Sequence, residues 1–313
     1  MGDRTIRSVV LTTFVGLLAS ALAQPAGDSR AQAIEGLISA GKLQAAREML
    51  AIEVAEAGET YRTLLLQARL LFEGQRYQDA LKILERCLAL DDRNAEAYKL
   101  AALAAIRIDR LDIAEPALKR AVAIAPNDYL AHFHLGALYY TQNQFLAAKP
   151  ELEKASELKE DYLPALVFLG LTLEEVGVAQ AIIETYRRAI DASTGVTGGA
   201  EMPYLYLGRY FYRLNRFQES LPLLEKAVEL NSRSAEAWLF LGKSQLALGR
   251  DKNAIAAWER SSAINPSNPE PHYLLFRLFT AQGRETEAQE QLKRFQVLKP
   301  RIKDDARRQH PTR

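Results

Sequence analysis

Leucine-glycine pairs recur at a fixed interval along this chain. Leu135-Gly136 and Leu169-Gly170 are 34 residues apart, as are Leu207-Gly208 and Leu241-Gly242, and Leu275 continues the series. Small residues keep the same phase as Ala80, Ala114, Ala148, Ala254 and Ala288, and later in each unit as Cys87, Ala121, Ala155, Ala189, Ala227 and Ser261. Such a period means short units that each bury a face against the next, rather than one globular core. The frame gives full units at 61–94, 95–128, 129–162, 163–196, 201–234, 235–268 and 269–302, after a divergent unit within 24–60. Residues 197–200 are an insertion between two arrays, 61–196 and 201–302.

Inside a unit the spacing is helical. Ala237, Trp238, Leu241, Ser244, Gln245 and Leu248 share one stripe, Gly249 interrupts it, and Ala254, Ala257, Trp258 and Ser261 resume it. The interrupting slot holds Gly41, Asp109, Asn143, Gly177, Asn215, Gly249 and Gly283, residue types that tolerate a left-handed backbone after a helix end. The 61 unit departs, with Gly74 one place early and Gln75 in the slot, so a different turn is expected there. Pro116, Pro150 and Pro222 share one phase. Because proline suits only the start of a helix, the second helices are expected to begin no earlier than about residues 112, 146 and 218.

Small slots imply close helix crossings, where overpacking costs about 1 to 3 kcal/mol. Ile182, Phe276 and Phe295 break that rule, the last two in the final unit. Trp238 is expected to be structural and Tyr139 to point into its hairpin, while Tyr210 falls off the ligand-facing set. In the last helix Ala288, Leu292, Phe295 and Leu298 form an inner stripe among charged residues, as a terminal cap requires. The basic stretch 303–313 is expected to be disordered. Gly195, Gly198 and Gly199 in the segment 194–200 predict either a loosened joint or a longer rigid turn.

The period of 34 with this Leu-Gly, aromatic, Ala, Ala, Pro order resembles the tetratricopeptide repeat, over nearly the whole chain after residue 23. The resemblance implies an all-α fold, a right-handed superhelical α-solenoid of about eight helix-turn-helix repeats. It also implies a ligand groove lined by the first helices, at positions 2, 5, 9, 12 and 13 of each unit. In this sequence those positions supply Arg62, Arg69, Lys99 and Arg107, then Phe133, Tyr140, Val167 and Leu171, then Arg209, Tyr212, Arg213, Lys243, Tyr273 and Arg277. Glu73, Glu96, Glu174, Glu175, Glu236 and Glu270 make the face mixed. The clamp by which some members hold chaperone tails is not matched: Lys99 fits, but Leu103 and His134 stand where asparagines are required.

Catalytic and metal chemistry find little support. His132-x-His134 places two rings on different sides of a helix, and His132 and His272 occupy a packing slot shared with Tyr98, Tyr204 and Trp238. Cys87 sits in a small-residue slot without a phased activating base, Glu174 and Glu175 diverge around their helix, and no phosphate-binding GxxxxGK[ST] run exists. With one Cys and four His, an intramolecular disulfide is excluded. No cofactor or metal and no enzymatic activity are expected. A net charge of +1 argues against nucleic-acid binding.

The segment 1–23 has Arg4 and Arg7 before a mostly apolar Val9–Leu22 and a small-residue site at Ala21-Leu22-Ala23, the pattern of a secretory signal peptide. An exported protein beginning near Gln24, periplasmic or secreted and without stable membrane insertion, is expected. The functional expectation is a non-catalytic scaffold of the cell envelope that binds an extended, acidic or aromatic-bearing segment of a partner protein. Polysaccharide binding in exopolysaccharide export and a regulatory role beside an envelope enzyme stay open as alternatives.

Overall fold

The computed structural model describes residues 27–177, 179–196 and 198–309. The expected signal segment, residue 197 of the insertion and the last residues of the basic tail therefore lie outside the described residues. Sixteen helices and no strand are present among them. In chain order they are α1 (Gly27–Ser39), α2 (Leu43–Ala57), α3 (Tyr61–Glu73), α4 (Tyr77–Leu90), α5 (Ala95–Arg107), α6 (Leu111–Ile124), α7 (Tyr129–Thr141) and α8 (Phe145–Leu158). They continue with α9 (Leu163–Val176), α10 (Ala179–Ala192), α11 (Met202–Arg213), α12 (Phe217–Leu230), α13 (Ala235–Ala247), α14 (Asp251–Ile264), α15 (Glu270–Ala281) and α16 (Glu285–Gln309). Consecutive helices pair as eight hairpins, the all-α solenoid architecture of helix-turn-helix repeats.

Polar residues at the unit boundaries start the first helices. Asn94 and Ser234 accept from the backbone N–H of Ala97 and Ala237, at 2.9 and 3.3 Å, and Thr60 forms a reciprocal capping box with Thr63. Each hairpin turn closes on a left-handed residue. At Asn143 (φ 59°) its own N–H donates to Tyr140 O at 2.9 Å and that of Gln144 to Tyr139 O at 2.9 Å, a Schellman closure. Gln75 corrects the sequence expectation: it adopts φ 59° and closes the same pair of bonds, to Phe72 O and Leu71 O, so the 61 unit turns like the others. The repeated helix lengths impose the turn, and Gln75 bears the left-handed strain.

The proline rule also needs correction by one residue. Helices α6, α8 and α12 begin at Leu111, Phe145 and Phe217, placing Pro116, Pro150 and Pro222 in the second turn. Each proline removes a donor to the carbonyl four residues before it, those of Asp112, Leu146 and Gln218. All six residues are exposed, so water can satisfy the freed carbonyls.

The chain divides by contact into two units, up to Leu135 and from Gly136 onward. In the first, Ala31, Ile34, Ile38, Ala46 and Leu50 pack with Leu66 and Leu70 of α3, and a second cluster joins Leu64, Ala68, Leu84 and Cys87 to Ala97, Leu100 and Ala101 of α5. In the second, Leu205, Leu221, Leu224 and Ala227 pack with Ala237 and Leu241 of α13, and Trp258 joins Leu239, Leu275 and Phe279. The Leu-Gly glycines allow these contacts. A Cβ on Gly170 would lie 2.4 Å from Tyr186 Cε1, and one on Gly242 would lie 2.5 Å from Trp258 Nε1. Trp258, fully buried with its indole N–H donating to Leu239 O at 3.1 Å, is the structural tryptophan of its unit. Trp238 is only half-buried, with its indole N–H donating to Ser232 O at 3.0 Å.

Around the glycine-rich insertion the flanking helices pack directly. The rings of Tyr186 on α10 and Tyr206 on α11 lie 6.2 Å apart, and Tyr206 joins the cluster of Leu163, Leu166, Val167 and Ala189. The extra residues are accommodated by left-handed Gly195, Gly198 and Gly199. Helix α16 continues to Gln309, through the first part of the stretch expected to be disordered. After Pro300 that stretch lacks glycine and proline as far as Gln309 and is rich in helix-forming Lys, Arg and Ala, so its want of apolar residues did not prevent a helix.

Candidate ligand-binding face

Within each unit the first helices lie beside one another, α3 against α1 and α5, and α11 against α9 and α13. Most of the cations expected on this face are bound to neighbouring carboxylates. In the first unit Arg69 meets Glu35 at 3.5 Å and Glu96 at 3.3 Å, and Lys99 meets Glu96 at 2.8 Å and Asp128 at 2.6 Å. Burial disfavours the Lys99 charge, but the hydrogen bonds it donates to Asp128 and Glu96 outweigh it and raise the ammonium pKa. Burial likewise works against the Asp128 carboxylate, and Lys99 reverses it, so its pKa falls. His134 lines the same 210 Å³ recess as Arg69, Glu96, Lys99 and Leu103; burial, aided by Lys99, pushes its pKa down to about 4.

In the second unit the side chain of Glu174, 3% exposed, is the hub. It accepts from the Tyr186 hydroxyl at 2.7 Å and from Arg213 at 2.7 Å, and lies 3.6 Å from Arg209. Arg209 also meets Glu236 at 3.0 Å, and Lys243 meets Glu270 at 2.6 Å. Desolvation opposes the Arg209 charge, but Glu174 and Glu236 more than offset it and raise its pKa. The Arg209 Nε is buried without a hydrogen-bond partner among the described residues.

The aromatic residues make a second pattern. Tyr140 meets Phe168 edge-on with ring centroids 5.4 Å apart, and Tyr212 meets Phe240 at 5.8 Å. Each also touches the first ring of its own second helix, Phe145 at 5.5 Å and Phe217 at 5.6 Å. Arg209 stands 4.9 Å over Tyr206, and Lys243 stands 4.5 Å over Phe240. The five rings Tyr140, Phe168, Tyr206, Tyr212 and Phe240 are all half-buried, which leaves part of each open to a ligand.

The sequence-derived set is thus divided by the structure. Val167 and Lys99 are buried, because position 5 packs beneath the neighbouring first helix, and neither side chain faces open solvent. Arg69, Arg209, Arg213 and Lys243 are ion-paired, Arg62, Phe133 and Leu171 are half-buried, and Arg107, Tyr273 and Arg277 are exposed. Tyr139 and Tyr210 are both buried, so Tyr210 belongs to the core and not merely off the face. Sequence reasoning missed Phe168, Tyr206 and Phe240, which share position 6 of their units. Aromatic residues recurring at that position are the signal for them.

The remaining candidates are structural. His132 is buried with Nε2 3.0 Å from Pro126 O, and His272 Nδ1 lies 2.7 Å from Gln291 Oε1. Cys87 is buried with its thiol directed at Tyr61 O, and burial raises its pKa. No helix among the described residues is long and apolar enough to cross a membrane.

Comparison with known proteins supports the repeat assignment. The chain is 33% identical over 81 residues to the Cell division cycle protein 27 homolog of Caenorhabditis elegans, 26% of this chain and 10% of that protein. It is 27% identical over 141 residues to the Anaphase-promoting complex subunit CDC16 of Saccharomyces cerevisiae, 42% of this chain and 16% of that protein. The chain therefore spans only a small part of these relatives. Among solved structures it is similar in fold to the APC/C hetero-tetramer Cut9-Hcn1, with TM-score 0.61, 17% identity and coverage of 78% of this chain and 48% of that one. It is also similar to pilF of Pseudomonas aeruginosa, with TM-score 0.60, 13% identity and coverage of 68% and 96%. The family profile of the tetratricopeptide repeat matches residues 32–95, 65–129, 99–158 and 205–269, which together exceed half of the chain. With the hairpins, the left-handed turns and the glycine crossings in the same register, the chain belongs to the tetratricopeptide repeat family.

Proposed function

We propose that this protein is a non-catalytic scaffold of the cell envelope that holds an extended segment of a partner protein against the first-helix face of its second unit. Tetratricopeptide arrays mediate protein-protein contacts, and the observation that carries this reading is the run of half-open rings Tyr140, Phe168, Tyr206, Tyr212 and Phe240. Such rings can be desolvated by a partner at small entropic cost. The cations beside them are held by Glu174, Glu236 and Glu270, so the segment is gripped chiefly by apolar contact and oriented by fixed dipoles. An acidic segment has less to gain here than the cation count alone implies. Export rests on the pattern of the first 23 residues.

The test is crosslinking in the native envelope followed by mass spectrometry, comparing wild type with a variant carrying Tyr140→Ala, Tyr212→Ala and Phe240→Ala. A protein partner lost from the variant, with its fold intact by circular dichroism, supports the reading. An undiminished partner places binding elsewhere, and recovery of a polysaccharide replaces the ligand class. N-terminal sequencing should begin near Gln24; an intact Met1 on exported material refutes cleavage.

A further inference from the structure

In the second unit the residue at position 5 of a repeat is normally covered by the first helix that follows it. Val167, Leu205 and Leu239 are each 5% exposed, whereas the equivalent Tyr273 of α15 is 40% exposed. The second helix shows the same contrast. Leu224 and Trp258 are fully buried and their equivalent Leu292 is not, and Ala227 and Ser261 are fully buried where Phe295 is half-open. Tyr273 packs against Phe295 and Phe276, with centroids 5.1 and 6.5 Å apart. The last hairpin among the described residues thus presents an aromatic face that has the position, but not the cover, of an internal junction.

Its charge follows the same rule. The cation at position 9 pairs with the glutamate at position 2 of the next first helix, as in Arg209–Glu236 and Lys243–Glu270. Arg277 is the position-9 cation of α15. It lies 5.9 Å from the Tyr273 ring centroid, is exposed, and makes no ion pair among the described residues. Lys299 stands 5.5 Å over Phe295 beside it.

We propose that this end face docks an amphipathic helix of a partner protein carrying a glutamate or aspartate in its first turn, in the place that Glu236 and Glu270 hold at the preceding junctions. The surface is distinct from the ring run of the proposed function, and either can fail alone. A second copy fits poorly. Tail-to-tail contact sets Arg277 and Lys299 against themselves, and although α1 carries Asp28 in its first turn, its exposed residues are mainly the polar Ser29, Gln32, Glu35 and Ser39, which do not match an aromatic face. The chain itself has an acid 27 residues after Arg277, at Asp304, but α16 runs on as one helix to Gln309 and forms no returning helix there.

The probe is a fluorescein-labelled peptide of residues 231–249, which carries the α13 sequence and Glu236, titrated by anisotropy into the full chain. Saturable binding is expected, weakened about tenfold or more by Arg277→Glu and also weakened by Tyr273→Ala. A Glu236→Lys peptide should bind the Arg277→Glu chain more tightly than it binds wild type. Both variants alter exposed side chains, and circular dichroism confirms their fold. Absence of saturable binding, or equal affinity for wild type and Arg277→Glu, overturns the proposal. So does a dimer by sedimentation that Arg277→Glu dissociates, or a rise in affinity when residues 303–313 are deleted, since either identifies a different occupant.

Discussion

Arg209 donates a hydrogen bond of 3.0 Å to Glu236, 27 residues further along the chain and on the next first helix. Arg69–Glu96 and Lys243–Glu270 repeat that spacing. Where position 9 is apolar, as at Leu103, Ala137 and Leu171, the residue 27 positions later, except for the four-residue insertion, is apolar too: Leu130, Pro164 and Met202. The pairing is a property of the repeat, and together with the Lys99 and Glu174 contacts it engages most of the charges that the face carries.

The Glu174 hub should matter more than any exposed pair. Glu174→Ala leaves the Tyr186 hydroxyl without its acceptor and Arg209 and Arg213 without a shared carboxylate, and should cost about 3 kcal/mol. Arg213→Ala, at a largely exposed side chain, should cost less than about 1 kcal/mol. Urea denaturation of both variants measures the difference.

Gln75→Gly should stabilise the first unit by about 1 kcal/mol, because it relieves a non-glycine residue held at φ 59°. A rise in the denaturation midpoint with an unchanged slope is the expected result. A decrease would show that the Gln75 side chain contributes more than its backbone strain costs.

Trp258→Ala should lower stability by about 3 to 5 kcal/mol, since it empties a fully buried site facing Gly242. Trp238→Ala should cost only about 1 to 2 kcal/mol, at a half-buried ring with one hydrogen bond. Hydrogen exchange on the Trp258 variant should show the loss concentrated around α13 to α16, as expected when units contact mainly their neighbours.

Acid should act through His134. Its folded pKa of about 4 lies below the ordinary 6.5, so between those values the unfolded chain binds the extra proton and stability falls as pH drops. The loss should be about 2 to 3 kcal/mol from pH 7 to pH 4 and should be absent in His134→Phe. Asp128 acts in a lower window. Its depressed pKa makes its contribution present above 3.8 and lost as pH falls below that value. Denaturant titrations at a series of pH values separate the two.

The hairpins were legible because each depends on local spacing: small residues at the crossings and a left-handed residue at each turn. Gln75 was misread because residue type gives a preference, whereas eight similar helix pairs impose a geometry. Trp238 and Trp258 both lie at helical spacing, and only the glycine opposite Trp258 distinguishes the buried ring. The candidate face was less legible. Burial of Val167 and Lys99 depends on the following hairpin, and the ion pairs join residues in different units. A comparison of position 9 with the next position 2 would have disclosed those pairs from the sequence.

The glycine crossings also bear on how such an array can be inherited. Gly242 has no room for a methyl group because Trp258 fills the space, whereas Ala102 occupies the equivalent place opposite the smaller Leu118. A genetic exchange that joined the first helix of the 95 unit to the second helix of the 235 unit would force a methyl into the indole. A breakpoint inside a hairpin can thus pair crossing residues that do not fit, whereas one between hairpins keeps each crossing intact, so gain or loss of repeats is expected to proceed by whole helix pairs.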